Sequence, residues 1–146
     1  MKTPDQIADI ERRIAAQFQE TDSPEIASVY LFGSYADGRA HRESDIDIGV
    51  LLNRDILPTS KERFQASLRL GTMMGAALFV DRVDLVVLND APPLIGRRIV
   101  TDGRRIYCRD PEIDHAFVRD VQLRAADLQP FIDRMRKIKL EALAPK

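Results

Sequence analysis

Ile26-Ala27-Ser28-Val29-Tyr30-Leu31-Phe32-Gly33-Ser34, a gap of ten residues, then Asp45-Ile46-Asp47-Ile48-Gly49-Val50-Leu51-Leu52: this stretch decides the fold. β-branched and aromatic residues crowd the first segment up to Gly33, which reads as a strand ending at a turn. The second segment alternates. Its odd positions begin Asp45, Asp47 and Gly49, while Ile46, Ile48 and Val50 point the other way. Period two therefore makes one face of this strand acidic near its start and the other apolar.

Each half has a chemical use. Glycine lets backbone N–H groups approach phosphate oxygens closely, and the Ser34 hydroxyl adds a further contact. Tyr35-Ala36-Asp37-Gly38 then turns the chain toward the acidic strand. Asp45 and Asp47 aim at the same side, and carboxylates are the natural ligands of a hard cation such as Mg²⁺. Two divalent ions about 3.5–4 Å apart stabilise both the attacking and leaving oxygens of an in-line displacement at phosphorus. A third carboxylate from a neighbouring strand would complete such a site. Asp84 is the candidate, as the only acid inside the strand expected over Arg82–Leu88. Val83, Leu85 and Val87 share one face there and Asp84 points to the other. An acid in so apolar a run is costly unless it is paired or coordinates a metal.

Outward from this centre the elements alternate. Thr3-Pro4-Asp5-Gln6 reads as an N-cap, a first-turn proline and a capping-box glutamine, followed by an apolar stripe at Ile7, Ile10, Ile14 and Phe18. Thr21-Asp22-Ser23-Pro24 stops that helix. Thr59 and Glu62 form a second capping box. It opens a helix to about Leu78, with Phe64, Leu68 and Met74 as expected core contacts and Gly71 and Gly75 as a site of close packing against a neighbour. Pro92-Pro93 opens a short helix to about Val100. Asp102-Gly103 turns into a short edge strand, Arg104 to Cys108, and Asp110-Pro111 caps a last helix that Pro130 should break or kink. Ile113, Phe117, Val121, Leu128, Ile132 and Met135 give that helix its apolar stripe, and Val118 and Leu123, off the stripe, hint at a protein interface. The order predicts an α/β (α+β) fold, a small mixed sheet with helices packed on it.

Length and composition set bounds. The 146 residues suit one domain, 1–146, whose last part, 110–146, is a C-terminal helical segment. The chain is 45% hydrophobic and 31% charged with a net charge of −1, which gives no electrostatic case for binding nucleic acid or an anionic membrane. The single cysteine, Cys108, excludes an internal disulfide and fits a reducing cytoplasm. The start of the chain reads as an amphipathic helix, so no signal peptide is expected. No apolar run reaches the roughly 18 residues of a membrane span.

The stretch from Gly33-Ser34 through Asp37-Gly38-Arg39 to Asp45-Ile46-Asp47 resembles the signature of the minimal nucleotidyltransferases (MNT) of the DNA polymerase β superfamily. Asp84 in Val83-Asp84-Leu85-Val86-Val87 and the stretch 102–110 are similar to that family too, and the resemblance covers roughly residues 5–135. It implies a polymerase β-like nucleotidyltransferase fold. Members of this size are typically MNT antitoxins that use ATP and Mg²⁺ to attach AMP to a tyrosine of a partner HEPN-domain ribonuclease toxin. Carried over by position, the resemblance implies that Asp45, Asp47 and Asp84 bind metal and that Asp84 serves the attacking hydroxyl. It also implies that Gly33 and Ser34 hold the triphosphate. Asp37 departs from the pattern, since relatives often carry a basic residue there. Two other readings stay open: a non-catalytic antitoxin acting by stoichiometric binding, and a nucleotidyltransferase of small molecules such as antibiotics. An oligomer would form through the complex with the toxin.

The remaining charged residues read less sharply. Arg42 either contacts phosphate or is a solvated loop cation, and His41 is a plain loop residue. Arg97-Arg98 and Arg104-Arg105 either line a nucleotide or partner surface or are solvated pairs. Arg134, Arg136, Lys137 and Lys139 give the last helix a basic end that suits its dipole. Cys108 reads as a small apolar residue with nothing nearby to activate a thiolate.

Overall fold

The computed structural model describes residues 3–33, 46–79 and 83–143. Helix α1 (Pro4–Thr21) starts on the expected capping box. The Gln6 N–H donates to the Thr3 hydroxyl, and the Thr3 N–H donates to the Gln6 side-chain oxygen at 2.8 Å. Its stripe of Ile7, Ile10, Ile14 and Phe18 is buried. There follow β1 (Ile26–Phe32), β2 (Ile46–Leu52), α2 (Ser60–Leu78) and β3 (Val83–Val87). A 3₁₀ turn (Leu88–Asp90), α3 (Pro93–Asp102), β4 (Arg104–Cys108) and α4 (Pro111–Leu143) complete the chain. Asp45 and Arg82, expected at two strand starts, lie outside the described residues.

The four strands form one mixed sheet in the order β3-β2-β1-β4. β1 is antiparallel to both of its neighbours, and β2 and β3 are parallel. A parallel pair needs a long crossover, and α2 supplies it. Val29, Leu31, Ile46, Ile48, Val50 and Leu52 face the layer of α1 and α2, packing with Phe18, Met74 and Leu78. Tyr30, Leu51, Leu88 and Ile99 form a second cluster on the other face, with Phe32 and Phe117 against it. This is the small mixed sheet flanked by helices that the sequence pattern leads one to expect.

Two polar devices hold the layers in place. The Asn89 side chain pairs with both backbone groups of Leu52, accepting from its N–H at 2.9 Å and donating to its C=O at 2.8 Å. Beside it Arg63, only 6% exposed, donates twice to the Asp90 carboxylate and once to the Leu57 carbonyl. The hydrogen bond from Arg63 holds the Asp90 carboxyl below its ordinary range. On the opposite face Asp114 of α4, 1% exposed, accepts from the Ser28 hydroxyl at 2.6 Å, the Tyr30 hydroxyl at 2.7 Å and the Arg105 guanidinium at 2.8 Å. Burial and this bond push the Tyr30 phenol well above its ordinary range.

Three expectations need correction. Phe64 and Leu68 are not core: they are 60% and 57% exposed, while Arg63, Ala66, Ser67, Met74 and Leu78 turn inward. The buried arginine with its Asp90 partner sets the rotation of α2, and hydropathy counting does not register that pair. A methyl group at Gly71 would meet nothing within 4 Å, so this glycine is no close-packing contact. Helix α4 runs as one helix through Pro130, so the expected break does not occur there. Pro130 and Ala126, whose carbonyl loses its helical donor, are both exposed, so water can satisfy the freed group. Leu128, Phe131, Met135 and Ile138 in the distal half of α4 face solvent rather than a core. Among the described residues no helix is long and apolar enough to cross a membrane.

Asp114→Ala strands two buried hydroxyls. It should cost about 2–4 kcal/mol in chemical denaturation, against about 1 kcal/mol for Tyr30→Phe.

Candidate active site

β1 ends at Gly33, whose φ of +74° suits glycine and strains any other residue. The chain returns as β2, and Phe32 pairs with Asp47. The Asp47 carboxylate lies directly against Gly33. A methyl group there would overlap one carboxylate oxygen and come within 3.1 Å of the carboxylate carbon. Glycine at this position thus serves the turn and makes room for the acid.

The parallel register then sets Asp47 opposite Asp84. Paired residues of neighbouring strands, about 4.8 Å apart, send their side chains to the same face. Ile46, Ile48, Val83 and Leu85 pack on the opposite face, in the core. Asp47 and Asp84 therefore share the face covered by α3 and α4, at the end where β1 stops and β2 and β3 begin. Both are half-buried. Like charges set side by side repel. A divalent cation removes that cost, and two hard oxygen donors suit Mg²⁺, so this donor set fits the ion that the sequence motif implies.

Gly33, Asp47 and Asp84 are thus brought together. Ser34 and Asp45 lie outside the described residues, as do His41 and Arg42. Among the described residues no group of three or more acidic, histidine or cysteine side chains could hold a metal.

Beside Gly33 opens a cleft of about 900 Å³ between α3 and α4. Phe32, Gly33 and Gly103 belong to its floor, and Arg97, Arg98, Gln129 and Arg136 to its walls. Gly103 makes the approach possible, since a methyl group there would come within 2.8 Å of the Leu31 carbonyl. The Arg97 guanidinium donates to the Gln129 side-chain oxygen at 3.3 Å. Sequence reasoning left Arg97-Arg98 undecided and gave Arg136 to the helix dipole. The available signal was helical spacing: 94, 97/98 and 101 on α3 and 129, 132 and 136 on α4 make two facing stripes.

The second arginine pair goes elsewhere. Arg104 bridges to Glu11 at 3.0 Å and Arg105 to Asp114, which are fold contacts. Burial pushes the Cys108 thiol upward, so it is no activated thiolate.

Gly33→Ala should lose about 1–2 kcal/mol from the left-handed conformation alone. A crystal structure of the variant should show the Asp47 carboxylate displaced.

Comparison with known proteins agrees with this geometry. The family model described as polymerase beta, nucleotidyltransferase, matches residues 13–112. The protein adenylyltransferase MntA of Shewanella oneidensis is 39% identical over 84 residues, 58% of this chain and 55% of that protein, so the match spans about half of its length. A chain in the crystal structure of a toxin–antitoxin with AMP-PNP superposes with a TM-score of 0.59 at 30% identity, covering 86% of this chain and 98% of that one. A chain in the structure of a tri-AMPylated Shewanella oneidensis HEPN toxin with its MNT antitoxin gives 0.55 at 26%, covering 89% and 98%. The glycine turn, the paired aspartates and the matching family model lead to one conclusion: this chain belongs to the polymerase beta nucleotidyltransferase family.

Proposed function

We propose that this chain is one nucleotidyltransferase domain working in the cytoplasm as a protein adenylyltransferase antitoxin. It transfers AMP from ATP, with Mg²⁺, to a tyrosine of a partner HEPN toxin. What supports this most is the register that sets Asp47 beside Asp84 against Gly33. The relatives named above, an adenylyltransferase and an AMPylated toxin in complex with an antitoxin, support the acceptor class.

In this reading Gly33 and Ser34 present backbone N–H groups and a hydroxyl to the triphosphate. Asp45, Asp47 and Asp84 would hold two Mg²⁺ ions, which when bound offset the charge that builds on the attacking and leaving oxygens. The tyrosine oxygen attacks the α-phosphorus, the bond from that phosphorus to the β-phosphate oxygen breaks, and pyrophosphate leaves. Asp84, at the end of the row, receives the tyrosine proton. Phe32, the strand neighbour of Asp47, lines the cleft beside the acids.

The exposed row Leu128, Phe131, Met135 and Ile138 on α4 favours a second reading, neutralisation of the toxin by contact alone. The two readings part on the acids. Asp47→Asn or Asp84→Asn should lower transfer by about a hundredfold or more, the effect of several kcal/mol of lost transition-state stabilisation. Intact mass of the co-expressed toxin reads this out as loss of every added AMP unit. An unchanged mass with wild-type protein and a stable complex would favour the contact mechanism. ATP with Mg²⁺ or Mn²⁺ should raise the melting temperature of the wild type, and should raise that of Asp47→Asn less.

A further inference from the structure

At the site end of the sheet the strand order β3-β2-β1 sets Asp84, Asp47 and Gly33 in a row. The cleft between α3 and α4 lies at the Gly33 end of that row. Among the described residues its lining takes in the end of β1 and Gly103 just before β4, and nothing from β2 or β3. Among the described residues it is cationic: Arg97, Arg98 and Arg136 line it, against Asp102 as the one acid. The arginines come from two helices and stand 39 residues apart at the extremes.

In-line displacement puts the attacking and leaving oxygens on opposite sides of the phosphorus. With the acceptor served by Asp84 at the β3 flank, the leaving pyrophosphate must point past Gly33, toward the β1 flank. That is where the arginines converge. Guanidinium groups bind phosphate oxygens in pairs and stay charged at any working pH.

We propose that this cleft holds the β- and γ-phosphates of the nucleotide substrate and then the pyrophosphate product. Arg98 and Arg136 are their cationic ligands, and Arg97, held by Gln129, is the residue that positions the wall. This assignment rests on the nucleotidyltransferase reading and deepens it, by giving the row of site residues a direction: acceptor at β3, leaving group at the α3/α4 cleft.

The test is calorimetric titration of the full chain with ATP and with AMP, both with Mg²⁺. The double variant Arg98→Ala/Arg136→Ala should bind ATP more weakly by about tenfold or more per arginine, as expected for charge-assisted contacts. Its affinity for AMP, which lacks the two outer phosphates, should change by less than about twofold. Pyrophosphate should compete with ATP on the wild type and lose that effect on the variant. Arg98→Lys/Arg136→Lys should recover part of the ATP affinity, because charge returns without the fork. Arg136→Ala alone, at an exposed position of α4, gives the same ATP-selective loss in a helix it cannot unfold. Equal losses for ATP and AMP would overturn the proposal by assigning the cleft to the base or ribose, and unchanged ATP affinity would return the arginines to solvent. Failure of the wild type to bind ATP at all would instead remove the nucleotidyltransferase reading on which the proposal stands.

Discussion

The parallel pairing of β2 with β3 is the constraint on which the rest of this molecule depends. Side chains alternate along a strand, so a slip of one residue would carry Asp84 into the apolar layer of α1 and α2. The register is pinned from the far end. Asn89 imitates a strand partner for Leu52, and Arg63 ties the start of α2 to Asp90 in the turn after β3. The crossover helix therefore begins and the returning strand ends at one fixed point. A clamp at one end of the two strands sets the spacing of two carboxylates at the other. Arg63 is buried with its charge paired to Asp90 and a further N–H donated to the Leu57 carbonyl, and a group so held resists sliding.

The other face has its own anchor. Asp114 draws Ser28, Tyr30 and Arg105 onto the first turns of α4, and this fixes the direction in which a 33-residue helix leaves the sheet. Four turns further on, Gln129 meets Arg97 and Arg136 reaches the cleft. The position of a cationic wall beside Gly33 thus traces back to a carboxylate near the opposite end of the same strands. Helix α3 is held between, its end pressed onto β1 by Gly103.

Much of this was legible in the sequence because it is local. The α1 capping box, the strand ending at Gly33 and the alternation that puts Asp47 apart from Ile46 and Ile48 each need only a few neighbouring residues. Asp84 stood out because a lone acid in a valine-rich strand asks for a reason. What could not be read depends on partners distant in the chain. Phe64 and Leu68 look like core until Arg63 is seen to claim the inner face. Arg104-Arg105 and Arg97-Arg98 look alike as dipeptides, yet one pair braces the fold and the other lines a cleft. Pro130 breaks helices by a local rule, but the rule weakens where the freed carbonyl is in water.

Gly33 carries a consequence of a different kind. The missing side chain there satisfies two demands at once, the left-handed turn and the space taken by the Asp47 carboxylate. Asparagine or aspartate can often stand in for glycine where only a turn is at stake, but here either would still collide with the acid. The site therefore has no gradual path away from this residue during evolution. A lineage that lost the glycine would strain the turn and displace the acid in the same step, and a smaller residue at Asp47 would relieve only the collision.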